Sequence, residues 1–146
     1  MTNSEELAYL AGFFDGEGSI GVYESMVKNR PSATTRSLVQ ALRIGVAGTH
    51  RESIARLQRR WGGTMVPENR RTLLPNHKLT WYWTVTGSRA KTVLEQLLPY
   101  LSVKREQAAL ALMTPISRTG YHSTDDERET RHRISQQLKQ MKVEVA

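Results

Sequence analysis

LAYLAGFFDGEGSI, residues 7–20, changes character halfway along. Leu7 to Phe14 is an apolar run, and Asp15-Gly16-Glu17-Gly18 then breaks into acids and glycines. Ala8, Gly12 and Gly16 recur at every fourth position, so on a helix they form one stripe of small residues. A glycine inside a helix costs about 0.5–1 kcal/mol relative to alanine, so the stripe needs a reason. Close approach of another backbone is that reason, either a second helix in small-xxx-small packing or the chain's own sheet. Asp15 and Glu17 fall where the helix ends, beside unpaired carbonyls and the negative end of the dipole. Carboxylates are unfavourable there unless a cation compensates. A divalent ion is one answer, and two solvated turn residues are the other.

Working outward, Ser4 followed by Glu6 and Leu7 reads as the helix start, with the helix running to about Phe14 or Asp15. A strand follows over Gly18 to Val27, with Ile20, Val22 and Met26 alternating against Gly21, Tyr23 and Ser25. Residues 28–37 form a polar loop. In the second strand Leu42, Ile44 and Val46 share a face opposite Arg43 and Gly45. Thr49 and Glu52 form a capping box for a helix carrying Ile54, Leu57 and Trp61, which Gly62-Gly63 stops. A hairpin with a long polar turn comes next. Its second arm, Lys78 to Thr86, sets Leu79, Trp81, Trp83 and Val85 against Thr80, Tyr82 and Thr84. The tryptophans are assigned to the core rather than to base stacking. Ser88 caps a helix with Val93, Leu94, Leu97 and Leu98, closed by Pro99, and residues 102–113 form another. A last amphipathic helix opens on the Thr124–Glu127 capping box and carries the stripe Ile134, Leu138, Met141 and Val145. The order αββ occurs twice, without a strong repeat in the residues themselves, and the class is α+β.

The chain has 146 residues and reads as one domain, with a core over about 5–115 and a C-terminal helical extension over about 116–146. Its formal charge of +7 makes a polyanion the first partner to consider. Cysteine is absent, which excludes disulfides, thiolate catalysis and cysteine-based zinc sites. No apolar run reaches the roughly 20 residues that span a bilayer, so no membrane partner is expected. Met1 to Glu6 lacks the basic start of a signal peptide, and a soluble intracellular protein is expected. His50, His77, His122 and His132 show no metal-ligand spacing.

LAGFFDGEG, Leu10 to Gly18, resembles the LAGLIDADG motif of homing endonucleases, with Leu10, Ala11, Gly12, Asp15 and Gly18 matching letter for letter. LPYLSVKREQAALAL, residues 98–112, is similar to the family's later segment of proline, aromatic, leucine, lysine and Gln-Ala. The resemblance implies the αββαββα fold, with a four-stranded antiparallel saddle for DNA and extra C-terminal helices. In the family two motif helices pack together and their last acids bind Mg²⁺, a site that Mn²⁺ or Ca²⁺ also occupies. Carried over, Ala8, Gly12 and Gly16 form the helix contact, and Glu17 and the Gly16 carbonyl ligate the metal. Lys104 takes the place of the catalytic lysine. Where the family often has a polar side chain ordering the attacking water, this chain reads Val46-Ala47-Gly48-Thr49, and Gly48 is the nearest match. One motif supplies half an interface, so the chain is expected to pair with itself as a homodimer. Two-fold symmetry then implies a palindromic or pseudo-palindromic site in double-stranded DNA, cut in both strands, by an enzyme of the intron-encoded kind.

On the saddle, Tyr23, Ser25 and Arg43 are the outward strand residues, and Lys28, Arg30 and Arg36 flank the first loop. In the second hairpin Asn69, Arg70, Arg71, His77, Lys78, Thr80, Tyr82 and Thr84 complete the DNA-binding set. The rival reading is a catalytically weak or inactive nucleic-acid-binding protein, either a maturase acting on intron RNA or a DNA-binding regulator. Gly48, with no side chain, sustains it. A third reading, a domain that only dimerises, leaves Glu17 and Lys104 without a purpose.

Overall fold

The computed structural model describes residues 1–28, 31–32, 34–69, 77–118 and 121–145. Helix α1 spans Asn3–Glu17, followed by strands β1, Gly18–Lys28, and β2, Arg36–Gly48. Helix α2, Arg51–Trp61, leads to β3, Thr64–Pro67, and β4, Trp81–Thr86. Helix α3, Gly87–Leu97, runs into a 3₁₀ turn at Leu98–Tyr100, and α4, Arg105–Ala111, and α5, Asp125–Val145, complete the chain. The expected αββαββα order is present, with two further helices. The four strands form one antiparallel sheet in the order β1-β2-β4-β3. Order and topology agree with the fold that the motif implies. No helix among the described residues is long and apolar enough to cross a membrane.

Alternation divides the sheet as its pattern predicts. Ile20, Val22, Leu42, Ile44, Val46, Trp83 and Val85 are buried on one face. There they meet Leu10 and Phe14 of α1, Ile54 and Leu57 of α2, and Val93, Leu94 and Leu97 of α3 in a continuous core. Trp83 is fully buried, and its indole N–H donates to the Gly62 carbonyl at 2.8 Å, so the tryptophan assignment holds. Gly62 and Gly63, at φ 71° and 96°, take the left-handed backbone that ends α2. Trp83 and Val85 crowd the place a Cβ at Gly63 would occupy.

Four helix starts differ from the sequence expectation, three of them because a nearer group satisfies the free N–H groups. Thr2, not Ser4, caps α1, accepting from the Glu5 amide at 3.1 Å. His50 rather than Thr49 caps α2, its Nδ1 accepting from the Ser53 amide, while Glu52 turns to Arg59. Helix α3 begins at Gly87 with no side-chain cap, so Ser88 lies inside it. Residues 102–104 are not helical, because a carboxylate of α1 holds their amides, as described below. The predicted Thr124–Glu127 box is present with both hydrogen bonds at 3.1 Å.

Helix α5 lies against the edge strand β1. The Ser135 hydroxyl donates to the Val22 carbonyl at 3.1 Å, and Gln40 Nε2 donates to the Arg128 carbonyl at 3.1 Å. Taking a free edge carbonyl is one way a sheet avoids unwanted pairing.

Candidate functional site

The site begins at the end of α1, which extends through Glu17 and so past the predicted Phe14 or Asp15. The Gly18 amide closes the last turn on the Phe14 carbonyl. A Cβ at Gly18 would lie 2.6 Å from both the Phe14 ring and its carbonyl oxygen, so only glycine fits there. Gly12 and Gly16 are glycines for another reason. A Cβ at either meets no atom within 4 Å. Ala8, Gly12 and Gly16 are all exposed, while Leu7, Leu10, Ala11 and Phe14 face the core. Packing against the chain's own sheet therefore does not explain the small stripe.

Asp15, which the sequence marks only as a helix-end acid in want of a positive partner, has a structural role of its own. One carboxylate oxygen accepts from the Ser102 amide at 2.8 Å, and the other from the Lys104 amide at 2.9 Å. The Lys104 ammonium in turn donates to the Asp15 main-chain carbonyl at 2.6 Å. The negative end of α1 thus receives the positive charge it needs, and Asp15 ties the segment before α4 to α1. Glu17 takes no part in this clasp. It is exposed and lines an open groove of about 530 Å³ with Ser19, Tyr23, Arg43, Thr84 and Lys142.

Lys142 comes from α5, which sequence reasoning left without a role. Partial burial lowers its pKa below the ordinary value of 10.5, and repulsion from Lys104 and Lys139 lowers it further. Two lysines from distant parts of the chain therefore stand near the end of α1. No signal in the sequence pairs residue 142 with residue 104, because only the docking of α5 on β1 brings them together.

Gly48 lies beyond the paired start of β1, since Gly18 pairs with Val46. A side chain at position 48 would begin 3.4 Å from Ile54 of α2. Among the described residues no group of three or more His, Asp or Glu side chains gathers. In this chain, then, Glu17 and the Gly16 carbonyl suit a hard cation in kind and fall short in number.

On the outer face of the sheet, register places Tyr23, Ser25, Arg43, Tyr82 and Thr84 together as expected. The Arg43 guanidinium stands over the Tyr23 ring, 6.0 Å from its centre. Thr80 precedes β4, and its amide and carbonyl are both taken by Glu68, at 2.6 and 2.8 Å. Asn69, His77 and Lys78 border the same hairpin. Lys28 and Arg36 pair with each other and by alternation share the side of Val22 and Leu42, not that of Tyr23. Arg30, Arg70 and Arg71 lie outside the described residues.

No protein-family model and no curated protein sequence matched the chain. Solved structures did. The homing endonuclease I-CvuI, in complex with the I-CreI target in the presence of magnesium, is 27% identical over 76% of this chain, with a TM-score of 0.53. The chain covers 66% of the I-CvuI chain, just under two thirds of its length. The archaeal intron-encoded homing endonuclease I-Vdi141I, complexed with DNA, is 15% identical over 94% of this chain and 99% of its own, with a TM-score of 0.56. The homing endonuclease I-TnaI is 18% identical over 96% and 97%, with a TM-score of 0.53.

Proposed function

We propose, from the premise that the chain belongs by its fold to the LAGLIDADG homing endonucleases, that it is a homodimeric, divalent-metal-dependent endonuclease. Its substrate is double-stranded DNA with a long palindromic or pseudo-palindromic site, and it hydrolyses both strands. The observation that carries the reading is the outer face of α1. Ala8, Tyr9, Gly12 and Gly16 are exposed on a helix whose other face is buried, and Glu17 ends that face. A surface helix normally turns charge to solvent, as α2 does with Glu52, Arg56 and Arg59. An outward face of small and apolar residues fits a second copy of itself across a two-fold axis. Such a pair carries twice the +7 charge of one chain, which favours a duplex.

Pairing at Gly12 brings a second Glu17 to the first. The two carboxylates, with the Gly16 carbonyls, form an oxygen set for Mg²⁺, or for Mn²⁺ or Ca²⁺ in its place. A bound ion there supplies a Lewis acid that offsets charge on the phosphate oxygens. Lys104 spends one of its three N–H donors on the Asp15 carbonyl. The other two are available to a phosphate oxygen, where a fixed cation stabilises the charge that develops during cleavage. Asp15 acts through Lys104 and is a positioning residue. With no side chain at Gly48, a backbone group and solvent order the attacking water. A second reading follows from the same glycine: a maturase or regulator that binds nucleic acid without cutting it.

The test is cleavage of a selected DNA site by the full chain with Mg²⁺, stopped by chelation. Glu17→Gln keeps the shape of the helix end and removes the charge. It should reduce cleavage by about a hundredfold or more while DNA binding persists. Undiminished cutting by that variant would reject Glu17 as a ligand, and a wild-type chain that binds but never cuts would favour the second reading.

A further inference from the structure

The outer face of the sheet carries more apolar surface than a DNA-reading face needs for polar contacts. Tyr23 is 46% exposed, Val27 and Val39 each 40%, Val66 46% and Tyr82 42%. Register puts these on one face: Tyr23 lies opposite Ala41, Ser25 opposite Val39, and Tyr82 opposite Val66. Val27 and Val39 lie toward the free ends of β1 and β2, away from the end of α1. Among the described residues Arg43 is the one cation that alternation places outward on these four strands. Exposed β-branched residues grouped on a rigid sheet point to a partner.

The chemistry of base edges says which partner. Guanine is read through its O6 and N7 acceptors by arginine or lysine, and adenine by a side-chain amide. Valine and alanine can do neither. In the major groove the one apolar group is the C5 methyl of thymine, and an exposed valine gains by covering it. We propose that Val27, Val39 and Ala41 read thymine methyl groups, so that the outer part of each half-site is specified by thymine and Arg43 supplies the one strand-borne guanine contact. This rests on the nuclease reading above and deepens it by naming what the sheet recognises. Alternate residues on a strand are about 6.7 Å apart, about two base-pair steps, so the contacts of Ala41, Val39 and Val27, which pairs with Ser37, should fall about two, four and six base pairs outward of the Arg43 contact.

Uracil differs from thymine by that methyl alone, so the test alters the DNA and leaves the protein intact. The full chain is used to select sites from a randomised duplex pool. The best site is then remade with uracil replacing one thymine at a time, and affinity is measured. Uracil at the outer positions should weaken binding about fourfold per methyl lost, and more than tenfold when both half-sites are changed. Val39→Ser removes both γ-methyls at an exposed position. It should erase the thymine preference at one position per half-site, while wild-type affinity for sites without that thymine is kept. Outer positions selected without thymine, or uracil bound as tightly as thymine, would overturn the inference and leave this face to a protein partner. Failure to select any DNA would instead sink the nuclease reading itself.

Discussion

Replacing Gly12 by leucine sets two consequences of one substitution against each other. Within a protomer a Cβ at Gly12 meets nothing within 4 Å, so no clash opposes the change. Leucine is the better helix former by about 0.5–1 kcal/mol. An isolated protomer should therefore gain that amount, a rise in Tm of about 1–4 °C for a chain of this size. Across a two-fold axis at Gly12 the same leucine enters twice, where the helices meet most closely. Overpacking costs about 1–3 kcal/mol per inserted side chain, hence about 2–6 kcal/mol per dimer. The dimer dissociation constant should then rise by about 30-fold to 10⁴-fold. Sedimentation over a concentration series reads the second effect, and melting of dilute protein reads the first. The expected result is a more stable monomer that has lost specific DNA binding. A Gly12→Leu protein that stays dimeric at wild-type concentrations would refute the interface, and a less stable monomer would refute the exposed placement of Gly12.

Asp15→Asn leaves one acceptor where two amides now bond a carboxylate. It should cost about 1–2 kcal/mol in urea unfolding and slow cleavage more than it weakens binding, because the main chain at Ser102 and Lys104 is held less firmly while the Lys104 ammonium keeps only the Asp15 carbonyl. Equal loss in both would argue against positioning. Lys142→Gln should weaken binding similarly for all DNA sequences and reduce the salt dependence by about one phosphate contact per subunit, measured as the slope of log affinity against log salt. An unchanged slope would remove Lys142 from the DNA surface. Glu24 offers a pH test. Burial raises its pKa, but hydrogen bonds from Gln40 and His132 outweigh that and hold the carboxyl below 4.5. A carboxyl with a depressed folded pKa stabilises above its unfolded value and loses that contribution as pH falls through the folded one. The Tm gap between wild type and Glu24→Gln should be full at pH 6 and narrow steadily below about 4.5. A gap that widens on acidification would contradict the assignment.

Much of the molecule was readable from local pattern. Period-two alternation in β1, β2 and β4 identified the buried set Ile20, Val22, Leu42, Ile44, Val46, Trp83 and Val85 correctly, but not Met26, which stands 54% exposed where β1 runs past the core. The stripe Ile54, Leu57 and Trp61 did the same for α2. These signals survive because each residue's burial depends on its own strand or helix and on the face it presents. The end of α1 was less legible. Its motif marked Glu17 and the small stripe, but Asp15 read as a second turn acid. Its partners, the amides of Ser102 and Lys104, lie 87 and 89 residues away. Main-chain donors carry no side-chain signature, so nothing in the sequence announces that bond. Helix starts went astray for a related reason. Thr2, Ser4, His50 and Ser88 all lie near a helix start, and the chain's entry angle chooses among them.

Composition, alternation and one nine-residue motif thus sufficed for the fold class, the core faces and the acid at the helix end. Tertiary structure alone decided three things. The docking of α5 on β1 brought Lys142 into the groove that Glu17 lines, two positions 125 residues apart. The folding of α1 onto its core showed Gly12 and Gly16 facing outward with nothing above them, which spacing had left open. The pairing of strands then set Val39 opposite Ser25 and Tyr23 opposite Ala41, turning scattered exposed residues into one face. The division has a physical cause. Which side of an element is apolar is written along the chain at short period, whereas which two elements meet depends on how all their apolar sides are buried at once.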